Sequence, residues 1–511
     1  MTFRSILFDE SDDSARDETI LAPDFFRDLN LDQIVDAITA DRAEYDLKPL
    51  FCSPLTTPAA IAYRHEVMRD HEVEPLLKSV KTFAGCMRTV RRHMASAETR
   101  ADTSQGKRWF LDAAALYCDA AAELLNDLVR ANPTSPGLTA FRGYLARYVE
   151  SDAFTTLRRE AKALQFRLAA VRYALVIQDN SITVRNCDDE ADYTAAVEAT
   201  FAKFKQGAVK DYRVKFPAVS GGGHVEARIL DLVARLNPEV FLALDEYCAK
   251  NAGYLDNTIV TVDRELQFYV AYMDHIAAFK RAGLAFCYPR VSDTSKEVDS
   301  RQSFDLALAG KLVPQHATIV CNDFALRGDE RVFVVTGPNQ GGKTTFARAF
   351  GQLHYLARLG LPVPGTDARL FLFDRLFTHF EREEDITTLR GKLQDDLVRI
   401  HGILDEATSN SLLIMNEIFS STSVKDAAYL GRKIMERLSE LDVLGVCVTF
   451  LDELSRLNAR TVSLVAAIAP DDPTSRTFKI ERRPADGLAY TRALADKYGL
   501  TYERLRERLG S

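Results

Sequence analysis

Hydrophobic residues recur at helical spacing through most of the first 285 positions. In residues 58–83, Ile61, Val67, Leu76 and Val80 follow this spacing, while arginine and glutamate fill the other faces. The same pattern predicts further helices, with a break at Pro133 and Pro136, over residues 109–130, 138–148, 154–171 and 228–252. Long helices with few glycines indicate a mechanical or scaffolding domain.

One stretch interrupts the helical pattern. Residues 173–185 alternate in a way that predicts a β-hairpin, with Asp179 and Asn180 at its turn. A lysine-rich helical stretch follows, then an extended stretch at 212–219 and three consecutive glycines at 221–223. We interpret residues 173–223 as a small mixed α/β insertion between helices.

From about residue 288 the pattern changes to short apolar, β-branched runs separated by helical stretches. These runs predict strands at 318–321, 331–336, 412–415 and 444–449. Alternation of strand and helix is typical of an α/β domain with a largely parallel sheet. The predicted domains are therefore an acidic segment at 1–29, a helical domain at 30–172 and 224–287, the insertion at 173–223, an α/β domain at 288–485 and a helical C-terminal segment at 486–511.

Composition narrows the class of protein. The chain has 511 residues, and 65 Lys and Arg against 73 Asp and Glu give a net charge of −8. A hydrophobic fraction of 47% excludes a disordered or collagen-like chain. The acidic balance argues against a nucleic-acid coat protein but is compatible with a local basic patch. The eight cysteines form no CxxC pair, and no run reaches the roughly 18 apolar residues of a membrane span. We expect a soluble cytoplasmic protein without a membrane partner.

The most specific motif is a phosphate loop. Gly337, Gly342, Lys343 and Thr344 fit G-x-x-x-x-G-K-[ST], between a predicted buried strand and an amphipathic helix. Glycines allow backbone N–H groups to converge on phosphate oxygens, and the helix N-terminus adds a positive dipole end. Lys343 is the candidate for the β- and γ-phosphates of ATP, and Thr344 for Mg²⁺. A purely structural loop is the alternative.

A second candidate site ends the strand predicted at 412–415. Asn416 and Glu417 follow it, where phosphate-loop enzymes hold Mg²⁺ and polarise the attacking water. Asn416 replaces the usual Asp and is a weaker magnesium ligand. Glu417 is the candidate general base. A solvated pair of polar residues at a strand end is the alternative.

These motifs resemble the ATPase domain of the MutS family of DNA mismatch-repair proteins. The family's TGPNMGGKST is similar to TGPNQGGKTT at 336–345, and its LLDEIGRGTS is similar to LIMNEIFSSTS at 413–423. Looser matches lie at 320–323, 374–379 and 403–408. The resemblance implies an ABC-type phosphate-loop ATPase that binds ATP and Mg²⁺. It implies nucleotide contacts from the whole loop and from the segment near 320–324: Gly337, Pro338, Asn339, Gln340, Gly341, Gly342, Lys343, Thr344, Thr345, Asn322 and Phe324.

The wider resemblance implies the remaining architecture. The helical half looks like the family's core and lever domain, notably at 54–64, and the insertion lies where the family carries its DNA clamp. Residues 201–216 hold five cations against one Asp, which suits phosphate-backbone contact with DNA: Lys203, Lys205, Lys210, Arg213 and Lys215. A merely solvated face is the alternative. The resemblance also implies a homodimer, with Gly391 and Lys392 as candidates for addressing a phosphate across the dimer.

Departures from the family restrict the function. Because the chain starts at the helical core, we expect neither the family's mismatch-reading and connector domains nor its Phe-x-Glu wedge. The histidine that senses the γ-phosphate in the family is replaced by Phe450. Three functions remain open. They are a DNA-clamping ATPase for mismatched, branched, recombining or damaged DNA, a nucleotide-gated scaffold with little hydrolysis, and an ATPase that acts on a protein partner.

Overall fold

The computed structural model describes most of the chain. The described residues are 3–9, 22–178, 181–187, 224–381, 391–419, 421–469 and 472–485, with positions 502, 505 and 506. They divide into two compact units. Unit 1 comprises Met1–Phe3, Glu74–Pro133 and Ala140–Asp263, and unit 2 comprises Arg4–Val73, Thr134–Thr139 and Arg264–Ser511. The described part is mixed, with a largely helical unit and an α/β unit that holds a parallel sheet.

Long helices dominate unit 1. Its elements, in chain order, are α5 (Glu74–Thr99), α6 (Ser104–Ala131), α7 (Pro136–Glu150, of which the first four residues belong to unit 2), α8 (Asp152–Ala169), β1 (Tyr173–Gln178), β2 (Ser181–Asn186), α9 (His224–Leu236), α10 (Pro238–Lys250) and the first seven residues of α11 (Asn257–Arg281). The side chains of Thr103 and Ser151 accept hydrogen bonds from the backbone N–H groups of Gly106 and Phe154, which caps α6 and α8. The predicted hairpin is present as β1 and β2, an antiparallel pair.

Prolines divide two of the expected helices. The pattern over 228–252 forms α9 and α10, separated at Asn237 because Pro238 has no N–H and restricts the residue before it. The pattern over 58–83 forms α4 (Pro58–His71) in unit 2 and α5, with Pro75 in the first turn of α5. Proline is compatible with a first helical turn, so the restart lies where proline allows it.

Unit 2 is an α/β assembly. Besides α4 and the rest of α11, its helices are α1 (Phe25–Asp28), α2 (Leu31–Thr39), α3 (Lys48–Cys52), α12 (Leu306–Leu312), α13 (Lys343–Arg358), α14 (Lys392–Glu406) and α15 (Val424–Leu441). Its strands are β3 (Phe286–Cys287), β4 (Arg290–Ser292), β5 (Val298–Ser303), β6 (Asn322–Leu326), β7 (Val332–Thr336), β8 (Val363–Pro364), β9 (Asp367–Phe371), β10 (Leu376–His379), β11 (Leu412–Asn416), β12 (Leu444–Val448), β13 (Thr461–Ala469) and β14 (Asp472–Arg482).

A six-stranded sheet forms the centre of unit 2. Its order is β10-β11-β12-β7-β13-β14, parallel except for β14, which runs antiparallel to β13. The strands β7, β11 and β12 are buried at every position, because helices cover both faces of a parallel sheet. Met415 and Ile434 belong to the core on the α14 and α15 side. On the α13 side, the rings of Phe333 and Phe350 lie edge to face with centroids 5.9 Å apart.

The strand predicted at 318–321 is wrong. These residues have no regular structure, and β6 begins only at Asn322. Thr318, Ile319 and Val320 line a cavity instead of pairing with another strand. The apolar run is here only partly buried, at Ile319 and Val320, and lines a cavity without forming a strand.

Helix α13 is held by the N-terminal helices of unit 2. The Arg348 Nε donates to the backbone oxygen of Asp28 at 2.9 Å, and the Gln352 Nε2 donates to that of Leu29 at 2.8 Å. Gly351 lies between Arg348 and Gln352 in the sequence, and a Cβ on this glycine would lie 2.8 Å from Leu29 Cδ1. The side chains of α2 that are buried include Leu31 and Ile34. The contacts with α13 come from the segment just before α2, where the rings of Phe25 and Phe26 also pack on Tyr355 with centroids 5.7 and 5.1 Å apart.

Candidate functional site

The phosphate loop joins β7 to α13. Gly337 and Gly342 have φ values of 113° and 91°, the left-handed region that favours glycine. A Cβ at Gly337 would lie 3.0 Å from the backbone nitrogen of Ala466 on β13, and one at Gly341 would lie 2.9 Å from the Cβ of Ala466. Glycine is therefore required by conformation and by close approach. The loop leads into the N-terminus of α13, whose first-turn N–H groups have no partner within the helix.

Lys343 begins α13 and is buried. Its Nζ donates to the backbone oxygens of Gly337 at 3.0 Å and Pro338 at 3.2 Å, and to Asn339 Oδ1 at 3.4 Å. Burial lowers the pKa of Lys343, the Glu417 carboxylate raises it, and the Arg476 guanidinium lowers it further. The ammonium group is thus held inside the loop, at the point where the chain folds back on itself.

Thr344 and Asn416 meet in the structure. The Thr344 Oγ1 donates to the Asn416 Oδ1 at 2.8 Å, although the two residues are 72 positions apart. Asn416 is the last residue of β11 and is 9% exposed. The helix after the phosphate loop and the end of a neighbouring strand therefore bring two oxygen ligands together. Oxygen is the donor that Mg²⁺ prefers.

Glu417 follows directly and lines the same cavity as the phosphate loop. Its φ is 54°, an uncommon value for a residue other than glycine. Its backbone N–H donates to the oxygen of Val448, at the end of β12, at 2.9 Å. The strand end is thus turned so that the carboxylate lies beside the loop. Such backbone strain persists where the surrounding structure enforces it.

A cavity of about 420 Å³ connects these groups. Residues 340–345 and Glu417 form its polar side, and Thr318, Ile319, Val320, Leu308, Leu312, Phe304 and Phe478 contribute to the rest. Its volume lies within the usual range for small-ligand sites, and its lining combines apolar walls with a few convergent polar groups. The cavity fits a ligand with a charged end and an apolar end.

The two residues expected near a bound base lie in different places. Asn322 lines the cavity, and its side chain holds β14, since its Nδ2 donates to the Phe478 oxygen at 3.2 Å and its Oδ1 accepts from the Ile480 N–H at 2.8 Å. Phe324 as a nucleotide contact is corrected: its ring is buried between Phe333, Phe346 and Phe350. Side chains two positions apart on a strand point to the same face. On β6 this face passes from the cavity at Asn322 into the core at Phe324.

The remaining candidates lie apart from the cavity lining. Gly391 is the residue before α14, and Lys392 is its first residue and pairs with Glu381. Phe450 follows β12 and is 51% exposed. The candidate DNA contacts, Lys203, Lys205, Lys210, Arg213 and Lys215, lie outside the described residues.

Sequence reasoning missed the contribution of β13 and β14. Ala466 packs on the loop glycines, the Arg476 Nε donates to the Asn339 oxygen at 3.2 Å, and Phe478 lines the cavity. These residues lie more than 120 positions after the loop and belong to no recognised motif. The local sequence offers no signal beyond an arginine within β14.

Comparisons with known proteins show which family one part of the chain resembles. Residues 333–490 match the family model of MutS domain V. The chain is 32% identical to Endonuclease MutS2 of Gemmatimonas aurantiaca over 220 residues, covering 42% of this chain and 26% of that protein. It is 30% identical to DNA mismatch repair protein MutS of Zymomonas mobilis subsp. mobilis over 190 residues, covering 36% and 22%. For the DNA mismatch repair protein MutS of Methanothrix thermoacetophila the identity is 27% over 263 residues, covering 50% and 29%.

The matched part of the chain spans about a quarter of the length of these relatives. Within the described residues, no helix is long and apolar enough to cross a membrane. The match includes most of β7, the phosphate loop, α13 and the strand end at 416–417, which form the polar side of the cavity, whereas the lining residues at 304–322 lie outside the match. Residues 333–490 of this chain are therefore similar to domain V of the MutS family.

Proposed function

We propose that this protein binds ATP with Mg²⁺ in the cavity beside the phosphate loop and hydrolyses it slowly. The observation that carries the proposal is the convergence of Lys343, Thr344, Asn416 and Glu417, from two separate segments, on one cavity. The proposed wider role is a cytoplasmic homodimer with composite sites, in which the nucleotide state gates a clamp on mismatched or branched DNA. The names of the similar proteins, an endonuclease and DNA mismatch repair proteins, support this role.

The residues present fit a magnesium ion. Thr344 Oγ1 and Asn416 Oδ1 are neutral oxygen donors 2.8 Å apart, and Mg²⁺ commonly takes only one or two protein ligands beside water and phosphate oxygens. Thr344 and Asn416 would hold the ion, which would supply positive charge to stabilise the phosphate oxygens during transfer. The lack of a carboxylate at position 416 is consistent with weak metal affinity.

The loop residues would position the phosphates. Lys343 already places its ammonium among the oxygens of residues 337–339, and it would exchange these partners for the β- and γ-phosphate oxygens. The N–H groups of residues 341–344 and the positive end of α13 add donors that cost little reorganisation when they are preformed. The apolar walls exclude water from the other end of the cavity.

Glu417 is the proposed general base. Its carboxylate lies close enough to Lys343 to raise the pKa of that lysine, so both groups face the same part of the cavity. The carboxylate would orient a water molecule and accept its proton as the water attacks the terminal phosphorus. General-base catalysis typically contributes about 10²–10⁴-fold to a rate.

The dimer and DNA parts of the proposal rest on other residues. Gly391 and Lys392 at the N-terminus of α14 would address a phosphate bound to the partner subunit. The five cations between positions 203 and 215 would contact the DNA backbone. Neither assignment is part of the chemistry in the cavity. Either one can therefore be wrong while the proposed ATP site remains correct.

Steady-state ATPase assays test the catalytic proposal. We expect Glu417→Gln to lower turnover about 100-fold or more while ADP affinity stays within about twofold, because the general base is lost but the loop is intact. We expect Lys343→Ala to lose both turnover and nucleotide binding. Glu440→Gln, at an exposed position on α15, is the matched control and should behave as wild type.

A specific observation favours a second function. Asn416 provides no negative charge for the metal, and Phe450 stands where the family has a histidine, so a nucleotide-gated scaffold with little hydrolysis is the alternative. In that case ATP binding persists, but turnover is absent or indifferent to Glu417→Gln. Such a result would reject the catalytic role of Glu417 and retain the nucleotide site.

A further inference from the structure

Strand β14 crosses over the phosphate loop. Its Arg476 Nε donates to the backbone oxygen of Asn339 at 3.2 Å. The backbone of Phe478 lies 3.6 Å from the position that a Cβ on Gly342 would occupy. Residues 476–478 of β14 therefore contact the loop at both its middle and its end.

The contact depends on an irregularity in β14. Ala466 pairs with Ile480 while Ile468 pairs with Arg476, so three residues of β13 oppose five of β14 and the strand bulges between them. Phe478 lies in this bulge with a φ of 57°, which is a genuine outlier for an aromatic residue. The Asn322 side chain bonds the backbone on both sides of the bulge, at Phe478 and Ile480. Bulges beside functional sites commonly redirect side chains.

Two cations converge on Asn339 as a result. Lys343 Nζ lies 3.4 Å from Asn339 Oδ1, and Arg476 Nε lies 3.2 Å from the backbone oxygen of the same residue. The two charges are close enough that Arg476 contributes to the lowered pKa of Lys343. Lys343 and Arg476 therefore bring two positive charges to one residue of the loop, near the Glu417 carboxylate that also acts on Lys343.

We propose that Arg476 is a second cation for the terminal phosphate of the bound nucleotide, supplied by β14 of the same chain. The inference rests on the proposed ATP site and adds a specificity residue to it. Arg476 is not among the residues that line the cavity, but it contacts Asn339, to which Lys343 also donates, and Lys343 reaches the β- and γ-phosphates in phosphate-loop proteins. The proposal therefore places the guanidinium at the γ-phosphate end of the loop. The planar guanidinium has five N–H donors, which suits it for bidentate contact with phosphate oxygens.

This assignment predicts discrimination between di- and triphosphate. With Mg²⁺ present, we expect Arg476→Ala to raise the Kd for a non-hydrolysable ATP analogue about tenfold or more and to leave the Kd for ADP within about twofold. A charge-assisted hydrogen bond to the γ-phosphate is lost in the first case only. Arg476→Lys should recover part of the ATP-analogue affinity. Titration calorimetry on the full chain measures both constants.

The matched control is Arg482→Ala. Arg482 lies on the same strand but pairs with Glu330, so its removal should change neither constant. If Arg476→Ala unfolds the protein, Arg476→Gln, which keeps an N–H donor without the charge, replaces it.

The outcomes separate the two proposals. Equal weakening of ADP and ATP-analogue binding by Arg476→Ala would mean that Arg476 only braces the loop, and the inference is overturned while the ATP site stands. Unchanged affinity for both nucleotides overturns it in the same way. A wild-type chain that binds neither nucleotide overturns both proposals.

Discussion

Asn416 is the residue at which the site departs most from a strong magnesium ligand. Its amide oxygen meets Thr344 Oγ1 in the geometry that a carboxylate would also reach, at the buried end of β11. An amide has the shape of Asp but lacks its charge. Under the proposed function, we therefore expect this residue to control metal affinity.

We predict that Asn416→Asp tightens magnesium binding. The added charge lies beside the metal ligands, so the Mg²⁺ concentration that half-saturates nucleotide binding should fall about tenfold, which corresponds to about 1.4 kcal/mol. Titration of Mg²⁺ at a fixed concentration of a fluorescent nucleotide measures the change. An unchanged or higher requirement would show that residue 416 is not a metal ligand.

The sequence predicts the contiguous parts of the site and misses the distant ones. Residues 337–345 and 416–417 follow predicted strands directly, so their position at the carboxyl edge of a parallel sheet could be inferred. Arg476 and Phe478 reach the loop through a bulge, which no local pattern reveals. The prediction that Phe324 contacts the nucleotide is wrong because an aromatic residue near a site packs as readily into the core as against a ligand.

Among the elements, β11 and β12 approach each other most closely at Gly445. A Cβ at this position would lie 2.3 Å from the backbone oxygen of Leu413, three residues before Asn416. Strand β11 cannot move away from β12 without losing the backbone hydrogen bonds that pair the two strands. The spacing of the two strands therefore depends on this glycine.

Gly445→Ala should destabilise the protein by about 3 kcal/mol, because backbone of a central strand must shift to admit the methyl group. Gly402→Ala is the matched control: Gly402 lies inside α14, a Cβ there meets no atom within 4 Å, and alanine should stabilise the helix by about 0.5–1 kcal/mol. Chemical denaturation followed by circular dichroism measures both. Equal stability of the two variants would contradict the close approach of β11 and β12.

At the level of elements, the sequence pattern gives the type of most segments but not every boundary. Proline marks the division between α9 and α10, yet the apolar pattern continues across it and suggested one helix. The apolar run at 318–321 has the residues of a strand and no partner strand in the described chain. Burial selects the same residue types in both situations, so only tertiary contacts distinguish them.

The net charge of the chain is negative, but one segment of it is positively charged. The chain carries −8 in total, whereas residues 201–216 contain five cations and one Asp. Electrostatic attraction to DNA falls off within about a Debye length of roughly 8–10 Å, so the local charge decides contact. An acidic protein can therefore bind DNA through one basic segment.

Reversal of Lys203, Lys205 and Lys210 to Glu should weaken duplex binding. It should also reduce the magnitude of the slope of log affinity against log salt by about 3, since each phosphate contact contributes about 0.9. Titration across salt concentrations with junction, mismatched, single-stranded and duplex DNA measures the effect for each substrate.

The control reverses three exposed lysines elsewhere, Lys48, Lys250 and Lys433. If both triple variants retain the wild-type slope, residues 201–216 do not contact DNA. A wild-type chain that binds no DNA would favour action on a protein partner.

The packing of residues 25–29 on α13 has a consequence for synthesis on the ribosome. About 300 residues separate this segment from the start of α13, which at about 5–20 residues per second corresponds to roughly 15–60 s. During that time Phe26 and Leu29 have no α13 to cover them. The nascent chain therefore exposes an apolar stretch of the kind that chaperones bind, well before its phosphate loop is made. For the same reason, a fragment that begins at residue 288 would expose the surface of α13 that residues 25–29 normally cover.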